Sequence, residues 1–427
     1  MKKVLIITYY WPPAGGPGVQ RVLKFVKYLP EYGWKPIVLT VENGNYPAYD
    51  ESLIDEIPSG CIIYKTKTWE PFSFYLKINR KLSNNIPTHI LETTKEETFF
   101  SSIARFIRLN FFIPDPRKGW IRCIVKEGKR MIEKYKPDLI FSSSPPHSVQ
   151  LGAMKLARKT GLKWIADFRD PWTDYFNLQG KGMLSVTKKK LGKMEESVVK
   201  NCNLISSVSQ GVGDLLMKSK SKDLKVIYNG YDEDDFTELK KNRSDKWRIC
   251  YAGSIRKSQT PLNFLLALKK LPRDVFNTIE FDIYGSVHPE IRKTIIELGL
   301  KKILRINPYL KHKFVVGKIL NADLLILLIP AHKKNHGIIT GKIFEYLRTG
   351  NPILGIGPIE GEAAQILEST NRGKMYDYEE DFNNVLLNLY KNWKNCKGKS
   401  NILNDINFYS RKHQTRELAR QFDLLRN

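Results

Sequence analysis

The chain has 427 residues, which is long enough for two α/β domains. Of these residues 42% are hydrophobic and 27% charged, a composition that excludes a disordered or fibrous protein. Its net charge of +26 favours polyanionic partners such as phosphorylated ligands, anionic lipid or nucleic acid, although a lysine-rich composition with no such partner also fits. The five cysteines form neither a CxxC nor a Cys/His cluster, which argues against disulfides and zinc and favours a reducing cytoplasm.

The apolar run at the N-terminus predicts a buried first strand rather than a signal peptide, because Trp11-Pro12-Pro13 interrupts it after a few residues. A second apolar run, residues 324–330, is far shorter than the roughly 20 residues of a spanning helix. We therefore expect no membrane-spanning segment.

Apolar runs alternate with segments of helical periodicity along the chain, which is typical of βα units and a parallel sheet. One amphipathic helix is predicted at residues 19–32. The pattern pauses at the polar residues 229–235 and restarts at Trp247, so we expect Rossmann-like domains at residues 1–235 and 246–405. Strands are predicted near residues 4–8, 36–40, 61–64, 139–143, 164–167, 204–208 and 225–228, and then near 249–252, 280–284, 304–306, 324–328 and 352–355.

Two segments of the first half, residues 72–85 and 99–113, mix aromatic with basic side chains. A basic amphipathic helix rich in aromatics can lie in a lipid interface. The same aromatic side chains can instead complete the core of the domain, and the sequence leaves both interpretations open.

Two glycine-containing turns follow predicted strands and suit a bound anion. Gly15 and Gly16 let backbone amides approach a phosphate, although the turn does not match GxGxxG and also fits an ordinary strand-to-helix turn. In the second half, Gly253 is followed by Arg256 and Lys257, a pair suited to a diphosphate; the alternative is two solvated cations, unfavourable at a helix start.

The most informative stretch begins at Gly341-Lys342, which predicts the start of a helix whose free amides can take phosphate. Glu345 follows one turn later, where its carboxylate can accept hydrogen bonds from the two hydroxyls of a ribose. We expect the helix to end at Gly350.

The candidates for catalysis lie in the first half. Asp167, Arg169 and Asp170 come at the end of a predicted strand, where a base or a stabiliser of charge is needed, and His147 begins a helix after another strand. Asp170 can alternatively cap the next helix, and His147 can be an exposed helix start. The acidic run at residues 232–235 contains a literal DxD but lies at the domain junction, so we expect no metal.

A set of short motifs occurs in order along the chain: Pro-Pro-Ala-Gly-Gly with Gln20-Arg21, Ile113-Pro114-Asp115 with Gly119-Trp120, residues 142–146, residues 164–172, Ser207-Val208-Ser209, residues 228–232, Tyr251-Ala252-Gly253 and residues 341–346. In combination these motifs resemble the GT-B glycosyltransferases of family four, of the bacterial surface-polysaccharide type. That resemblance implies two facing Rossmann-like domains with parallel sheets, an active site in the cleft, and a C-terminal helix at residues 406–427 that crosses back to the first domain.

The resemblance also implies roles for single residues. The implied donor is a UDP-, GDP- or dTDP-sugar, and no further cofactor is expected. The family often carries a second glutamate where this chain has Gly337, so His336 or the Thr340-Gly341 backbone is expected to face the sugar. The implied donor contacts are Arg256 and Lys257 near the diphosphate, Gly341 and Lys342 on phosphate, Glu345 on the ribose, and Gly285, Tyr309 and Leu310 beside the base.

The implied activity is metal-independent transfer of a sugar, with retention of configuration, to a glycan or lipid-linked acceptor. We accordingly expect a cytoplasmic protein, peripheral on the inner face of an anionic membrane, that does not bind nucleic acid. One alternative is a nucleotide-sugar epimerase of the same fold, which would act on the donor without an acceptor. The other, a basic nucleic-acid-binding protein, rests on charge alone.

Overall fold

The computed structural model describes residues 1–46, 48–68, 106–174, 182–218, 222–242, 244–308, 310–330, 335–395 and 406–426. The chain divides into two compact units. The first comprises Met1–Tyr228 together with Gln414–Asn427, and the second comprises Asn229–His413. The division at Tyr228 comes earlier than the boundary expected after residue 235.

The first unit is built on a parallel sheet of seven strands in the order β3-β2-β1-β4-β5-β6-β7. This order, with the first strand central and the chain winding outward on both sides, is that of a doubly wound Rossmann-like domain. The strands are β1 (Lys2–Thr8), β2 (Trp34–Val41), β3 (Ile62–Thr66), β4 (Leu139–Ser144), β5 (Lys163–Phe168), β6 (Leu204–Ser207) and β7 (Leu224–Val226).

Helices cover both faces of this sheet because successive side chains of a strand point to opposite sides. In β1, Leu5 and Ile7 enter one hydrophobic core, and Val4 and Ile6 enter the other. The helices are α1 (Pro17–Tyr28), α2 (Trp120–Tyr135), α3 (Ser148–Thr160), α4 (Ser185–Asn201) and α5 (Gln210–Met217).

The helix predicted at residues 19–32 is shorter than expected. α1 ends at Tyr28, and Leu29–Tyr32 forms a 3-10 turn instead. Pro30 is the reason, because it has no backbone N–H to donate to the preceding turn and its ring crowds the carbonyl four residues earlier. Gly33, with φ of 79°, then closes the turn before β2.

The second unit contains a parallel sheet of six strands in the order β10-β9-β8-β11-β12-β13. The sequence predicts five of these strands; β13 was missed because its four residues alternate too weakly to stand out. The strands are β8 (Trp247–Ala252), β9 (Ile279–Tyr284), β10 (Leu304–Asn307), β11 (Leu324–Leu328), β12 (Ile353–Ile356) and β13 (Gly373–Tyr376).

Seven helices accompany this second sheet in the described part of the unit. Their apolar residues join the strands in one core that includes Phe264, Phe281 and Phe382, whose rings pack edge to face. The helices are α6 (Leu262–Lys270), α7 (Arg273–Phe276), α8 (Pro289–Glu297), α9 (His312–Leu320), α10 (Lys342–Thr349), α11 (Glu362–Ser369) and α12 (Phe382–Asn395).

The last helix, α13 (Arg411–Arg426), returns the chain to the first unit. Phe422 packs edge to face against Trp34 and Phe141, with ring centroids 5.2 and 5.8 Å apart. Asp423 accepts a hydrogen bond of 3.1 Å from the Trp34 indole. The predicted fold class, two Rossmann-like domains with parallel sheets and a returning C-terminal helix, is confirmed.

Some sequence predictions fall on residues outside the described ranges: the aromatic and basic segment at 72–85, the first part of the segment at 99–113, and Tyr309. Among the helices of the described residues, none combines the length and the apolar character needed to cross a bilayer.

Candidate functional site

The residues singled out by the sequence lie where strands end and helices begin, at the carboxyl edges of the two sheets. In open α/β sheets this edge is where ligands bind. The two edges differ in the burial and the hydrogen-bond partners of their polar side chains.

The glycine turn after β1 is largely committed to its own fold. The Gly15 amide donates to the carbonyl of Ala48 at 2.9 Å, so it is not aimed at an external anion. Gly16 precedes α1 with φ of 94°, a conformation that favours glycine, and Pro17 occupies the first helical position. An anion at this turn would have to be held by groups other than the Gly15 amide.

Asp167, at the end of β5, is fully buried and belongs to an internal ion pair. Arg21 of α1 binds it in a bidentate manner, with N–O distances of 3.0 and 2.7 Å. The hydroxyls of Ser143 and Ser206 donate to the same carboxylate from β4 and β6, at 2.7 and 2.5 Å. Burial alone would raise the pKa of Asp167, but the Arg21 charge and these hydrogen bonds outweigh it and lower the pKa.

This arrangement has the contacts of a structural ion pair rather than of a base facing a substrate. Both carboxylate oxygens already accept two donors each, and the side chain has no exposed surface. The sequence placed Asp167 at an accessible edge because the pattern does not reveal that Arg21, 146 residues earlier, lies opposite it. Arg21 is thus a residue whose role the sequence reasoning missed.

Arg169 ties together the turns that follow β1, β4 and β5. Its guanidinium donates to the backbone carbonyls of Gly18, Ser144 and Pro145, and it lies over the ring of Tyr10. Burial lowers the pKa of Arg169. Its described hydrogen bonds therefore serve to hold this edge of the sheet in one shape, with the half-buried Asp170 beside it.

His147 is a buried aromatic contact at the start of α3 and not an exposed helix start. Its ring stacks on Trp172 with centroids 4.5 Å apart and planes 5° from parallel. Burial, reinforced by the charge of Arg169, lowers the pKa of His147 to about 3, so the ring is neutral at physiological pH. Within the described residues, its Nδ1 and the Nε1 of Trp172 have no hydrogen-bond partner.

In the second unit, two glycines bring the ends of β8 and β9 close together. Gly253 and Gly285 have φ of 137° and 144°, and a Cβ on Gly285 would stand 2.5 Å from the Gly253 carbonyl oxygen. A Cβ on Gly253 would stand 2.4 Å from the Nζ atom of Lys342. Only glycine allows the backbone and this ammonium group to approach so closely.

Lys342 opens α10 and is held by Tyr251 of β8. Its Nζ donates to the Tyr251 hydroxyl at 3.1 Å and lies 4.3 Å from the ring centroid. Tyr346, one turn further, accepts a hydrogen bond of 2.9 Å from the Ala252 amide and so fixes α10 against β8. The start at Lys342 and the end before Gly350, which has φ of 72°, agree with the sequence prediction.

Glu345 lies one turn into α10 and contacts His312, the first residue of α9. Its Oε1 lies 2.8 Å from His312 Nε2, and Asp235 lies 3.9 Å from the other ring nitrogen. Burial alone would lower the pKa of His312, but the two carboxylates outweigh burial and raise it. We call these residues the Asp235–His312–Glu345 triplet. No sequence pattern indicates this triplet, because its contacts join three separate elements.

The remaining predicted donor residues lie around the same strand ends. Lys257 forms an exposed ion pair with Glu290 at 2.8 Å, and the Arg256 amide donates to the side chain of Gln259 at 3.2 Å. Leu310 is half-buried in the connection between β10 and α9. Over the described part of the chain, no group of three or more His, Cys, Asp and Glu side chains is arranged so that it could hold a metal ion.

No protein-family model matches the chain, and no curated protein matches it in sequence. Many solved structures match it in fold. The three that follow are 10–13% identical to this chain, which indicates the fold alone. A complex of S. aureus TarM with fondaparinux, α-GlcNAc-glycerol and UDP matches with a TM-score of 0.58 and 11% identity, covering 100% of both chains.

Two further structures illustrate the range of proteins with this fold. The lipopolysaccharide outer core galactosyltransferase WaaB matches with a TM-score of 0.58 and 13% identity, covering 99% of each chain. A candidate UDP-N-acetylglucosamine 2-epimerase from Listeria monocytogenes matches with a TM-score of 0.53 and 10% identity, covering 99% of this chain and 96% of that one. The chain has the GT-B fold, which transferases and epimerases share.

Proposed function

We propose that this protein transfers a sugar from a nucleoside diphosphate donor, bound by the second unit, to a glycan or lipid-linked acceptor. The observation that carries the proposal is the pairing of Lys342 and Glu345 at the start of α10, beside the glycine-lined ends of β8 and β9. An ammonium group and helix amides suit a diphosphate, and a carboxylate one turn away suits ribose hydroxyls.

In this proposal the reaction breaks the bond between the anomeric carbon and the β-phosphate oxygen, while the acceptor hydroxyl forms the new glycosidic bond. The nucleoside diphosphate leaves with the bonding electron pair, and the acceptor proton passes to a base or to the leaving phosphate. Lys342 and the first amides of α10 stabilise the negative charge that develops on the leaving oxygen. Attack from the face that the diphosphate leaves would retain the configuration, as the family-four resemblance implies.

The first test is a binding screen of UDP, GDP, dTDP and CMP by thermal shift, because a ligand of the native state raises the melting temperature. We expect one nucleoside diphosphate to stand out, and Lys342→Met and Glu345→Gln each to weaken its binding about tenfold or more. Lys269→Met is the matched control, since Lys269 is an exposed lysine at the end of α6. No shift with any nucleotide would overturn the proposal.

The epimerase alternative has the same fold and predicts a different product. A transferase should require an acceptor and release the nucleoside diphosphate, whereas an epimerase should change the donor sugar in the absence of acceptor. Incubation of the donor alone, followed by analysis of the sugar nucleotide, therefore separates them. Conversion of the donor to its epimer without an acceptor would favour the alternative.

The proposal includes peripheral binding to an anionic membrane, supported by an exposed surface of the first unit. Asn110 joins two segments, because its side chain donates to Gly182 O and accepts from the Leu184 amide, both at 2.8 Å. We call residues 106–111 with 182–186 the Asn110 surface. Its exposed apolar side chains are Phe106, Ile107, Phe111, Leu184 and Val186, and the exposed lysines 188, 189, 190 and 193 of α4 follow directly.

Vesicle sedimentation tests this part of the proposal. We expect binding to vesicles that contain phosphatidylglycerol, weaker binding to neutral phosphatidylcholine vesicles, and loss of binding on adding salt, because lysines near an anionic surface each contribute about 1 kcal/mol. Phe111→Ser with Val186→Ser should reduce binding. Phe314→Ser, which removes an equally exposed phenylalanine from α9, is the control. Equal sedimentation with both vesicle types would contradict binding to an anionic membrane.

A further inference from the structure

The Asp235–His312–Glu345 triplet places a histidine between two carboxylates, one of which belongs to the proposed ribose site. His312 Nε2 lies 2.8 Å from Glu345 Oε1, and Nδ1 lies 3.9 Å from Asp235 Oδ2. The side chains are largely shielded, with 19% of His312, 15% of Glu345 and 13% of Asp235 exposed. Water therefore screens these contacts less than it would at an open surface.

Two carboxylates on opposite sides of one imidazole favour its doubly protonated, cationic form. A neutral imidazole has one N–H donor and one nitrogen lone pair. Whichever nitrogen loses its proton, the lone pair then faces a carboxylate, and one of the two favourable contacts is lost. Arg411, at the start of α13, also acts on His312, and its positive charge opposes protonation of the ring. Lys311 and Lys313 flank His312 on its own segment.

We propose that His312 is a positioning residue that orients the Glu345 carboxylate for the nucleotide ribose and makes donor affinity depend on pH. The inference rests on the proposed function, because it assigns Glu345 to the ribose. A protonated His312 fixes the carboxylate through Oε1 and offsets part of the negative charge of Glu345 and Asp235 beside the ribose site. Both effects weaken as the pH rises and His312 loses its proton.

The probe for the test is the nucleoside diphosphate sugar that binds best among UDP-glucose, GDP-mannose and dTDP-glucose. Both of its phosphates carry substituents, so the ligand keeps a constant charge from about pH 5.5 to about pH 8.5, a range that spans histidine titration. Its dissociation constant is measured by calorimetry across that range with the full chain. We expect affinity to fall as the pH rises through the pKa of His312.

His312→Gln keeps a neutral donor near Glu345 but removes the titrating charge. We expect this variant to bind about tenfold more weakly than the native protein at low pH and to lose the pH dependence. It should also discriminate less between the ribonucleoside diphosphate that binds best and its 2′-deoxy counterpart, because a poorly oriented carboxylate gains less from the ribose 2′-hydroxyl. His413→Gln, a second half-buried histidine of the same unit, should keep the native pH profile.

The outcomes separate the inference from the function on which it rests. If the native protein binds no nucleotide sugar, both fail. If Glu345→Gln weakens binding while His312→Gln keeps the native affinity and pH profile, the ribose assignment stands and the role of His312 is wrong. Melting curves of each variant at the same pH values check that a change in affinity does not reflect unfolding; a folded His312→Gln with flat, weakened binding supports the inference.

Discussion

The carboxyl edges of the two sheets hold similar residue types in opposite situations. In the first unit, Arg21 and Asp167 have side-chain exposures of 1% and 0% and are bound to each other, and His147 is a neutral ring stacked on Trp172. In the second unit, His312 and Glu345 are partly exposed, and the charge of His312 is favoured rather than suppressed. The charged side chains at the first edge stabilise the fold by pairing with each other in the interior. Those at the second edge remain partly exposed to solvent.

The two histidines show what this difference means for pH dependence. The pKa of His147 is lowered in the folded protein, so its contribution to stability is complete above about pH 6.5 and is lost as the pH falls. The pKa of His312 is raised, so its contribution is complete below about pH 6.5 and is lost as the pH rises through the folded value. Acid therefore weakens the first unit and favours the triplet of the second.

The largest effect should come from breaking the buried ion pair. Asp167→Ala leaves the Arg21 guanidinium buried without its carboxylate, and we expect the first unit to lose about 3–5 kcal/mol of stability. Urea unfolding followed by tryptophan fluorescence measures this, because among the described residues of the first unit five tryptophans are fully buried: Trp11, Trp34, Trp120, Trp164 and Trp172.

Two further variants sharpen that measurement. Asp214→Asn alters an exposed aspartate of α5 and should change stability by no more than about 0.5 kcal/mol. Adding Arg21→Met to Asp167→Ala should restore part of the loss, because no unpaired charge then remains in the core. A stable Asp167→Ala protein that lacks only transfer activity would instead support the catalytic role expected from the sequence.

A smaller effect is expected from the neutral histidine. His147→Phe keeps an aromatic ring against Trp172 and removes the group that must stay unprotonated in the fold. Between pH 7 and pH 4.5, titration of His147 should cost the native first unit about 2–3 kcal/mol, because the unfolded chain takes up the proton below about pH 6.5 and the folded protein does so only near pH 3.

The difference in stability between His147→Phe and the native protein serves as the control. The stability of His147→Phe relative to the native protein should be constant above pH 7 and should rise steadily below about pH 6.5. Parallel stability curves across the whole range would show that His147 is protonated in the fold or that its environment opens at low pH.

The sequence predicted the strands well because a strand buried on both faces is a run of apolar residues, as in β1 and β11. It also predicted where α10 begins and ends, since Gly341 and Gly350 mark its limits. It could not predict the partners of the polar side chains. Arg21 contacts Asp167, and His312 contacts Glu345, only because separate elements pack together in each folded unit. Local sequence patterns do not predict which elements pack together.

The sharpest test of the second edge, with a modest expected change in stability, comes from Gly253. Gly253→Ala places a methyl group too close to Lys342 Nζ, at a φ of 137° that other residues rarely adopt. The lysine end can move aside, so we expect a loss of only about 1–3 kcal/mol in stability but a displaced ammonium group. Affinity for the nucleoside diphosphate should fall about tenfold by calorimetry.

Gly299→Ala is the matched control, because Gly299 also has a positive φ, 72°, but a Cβ there meets no atom within 4 Å. It should cost about 1 kcal/mol of stability and leave nucleotide affinity unchanged. If both alanine variants weaken binding equally, the effect of Gly253 would come from general loosening of the second unit rather than from Lys342. A loss of affinity confined to Gly253→Ala would instead mean that the ammonium must lie against the end of β8 for the diphosphate to bind.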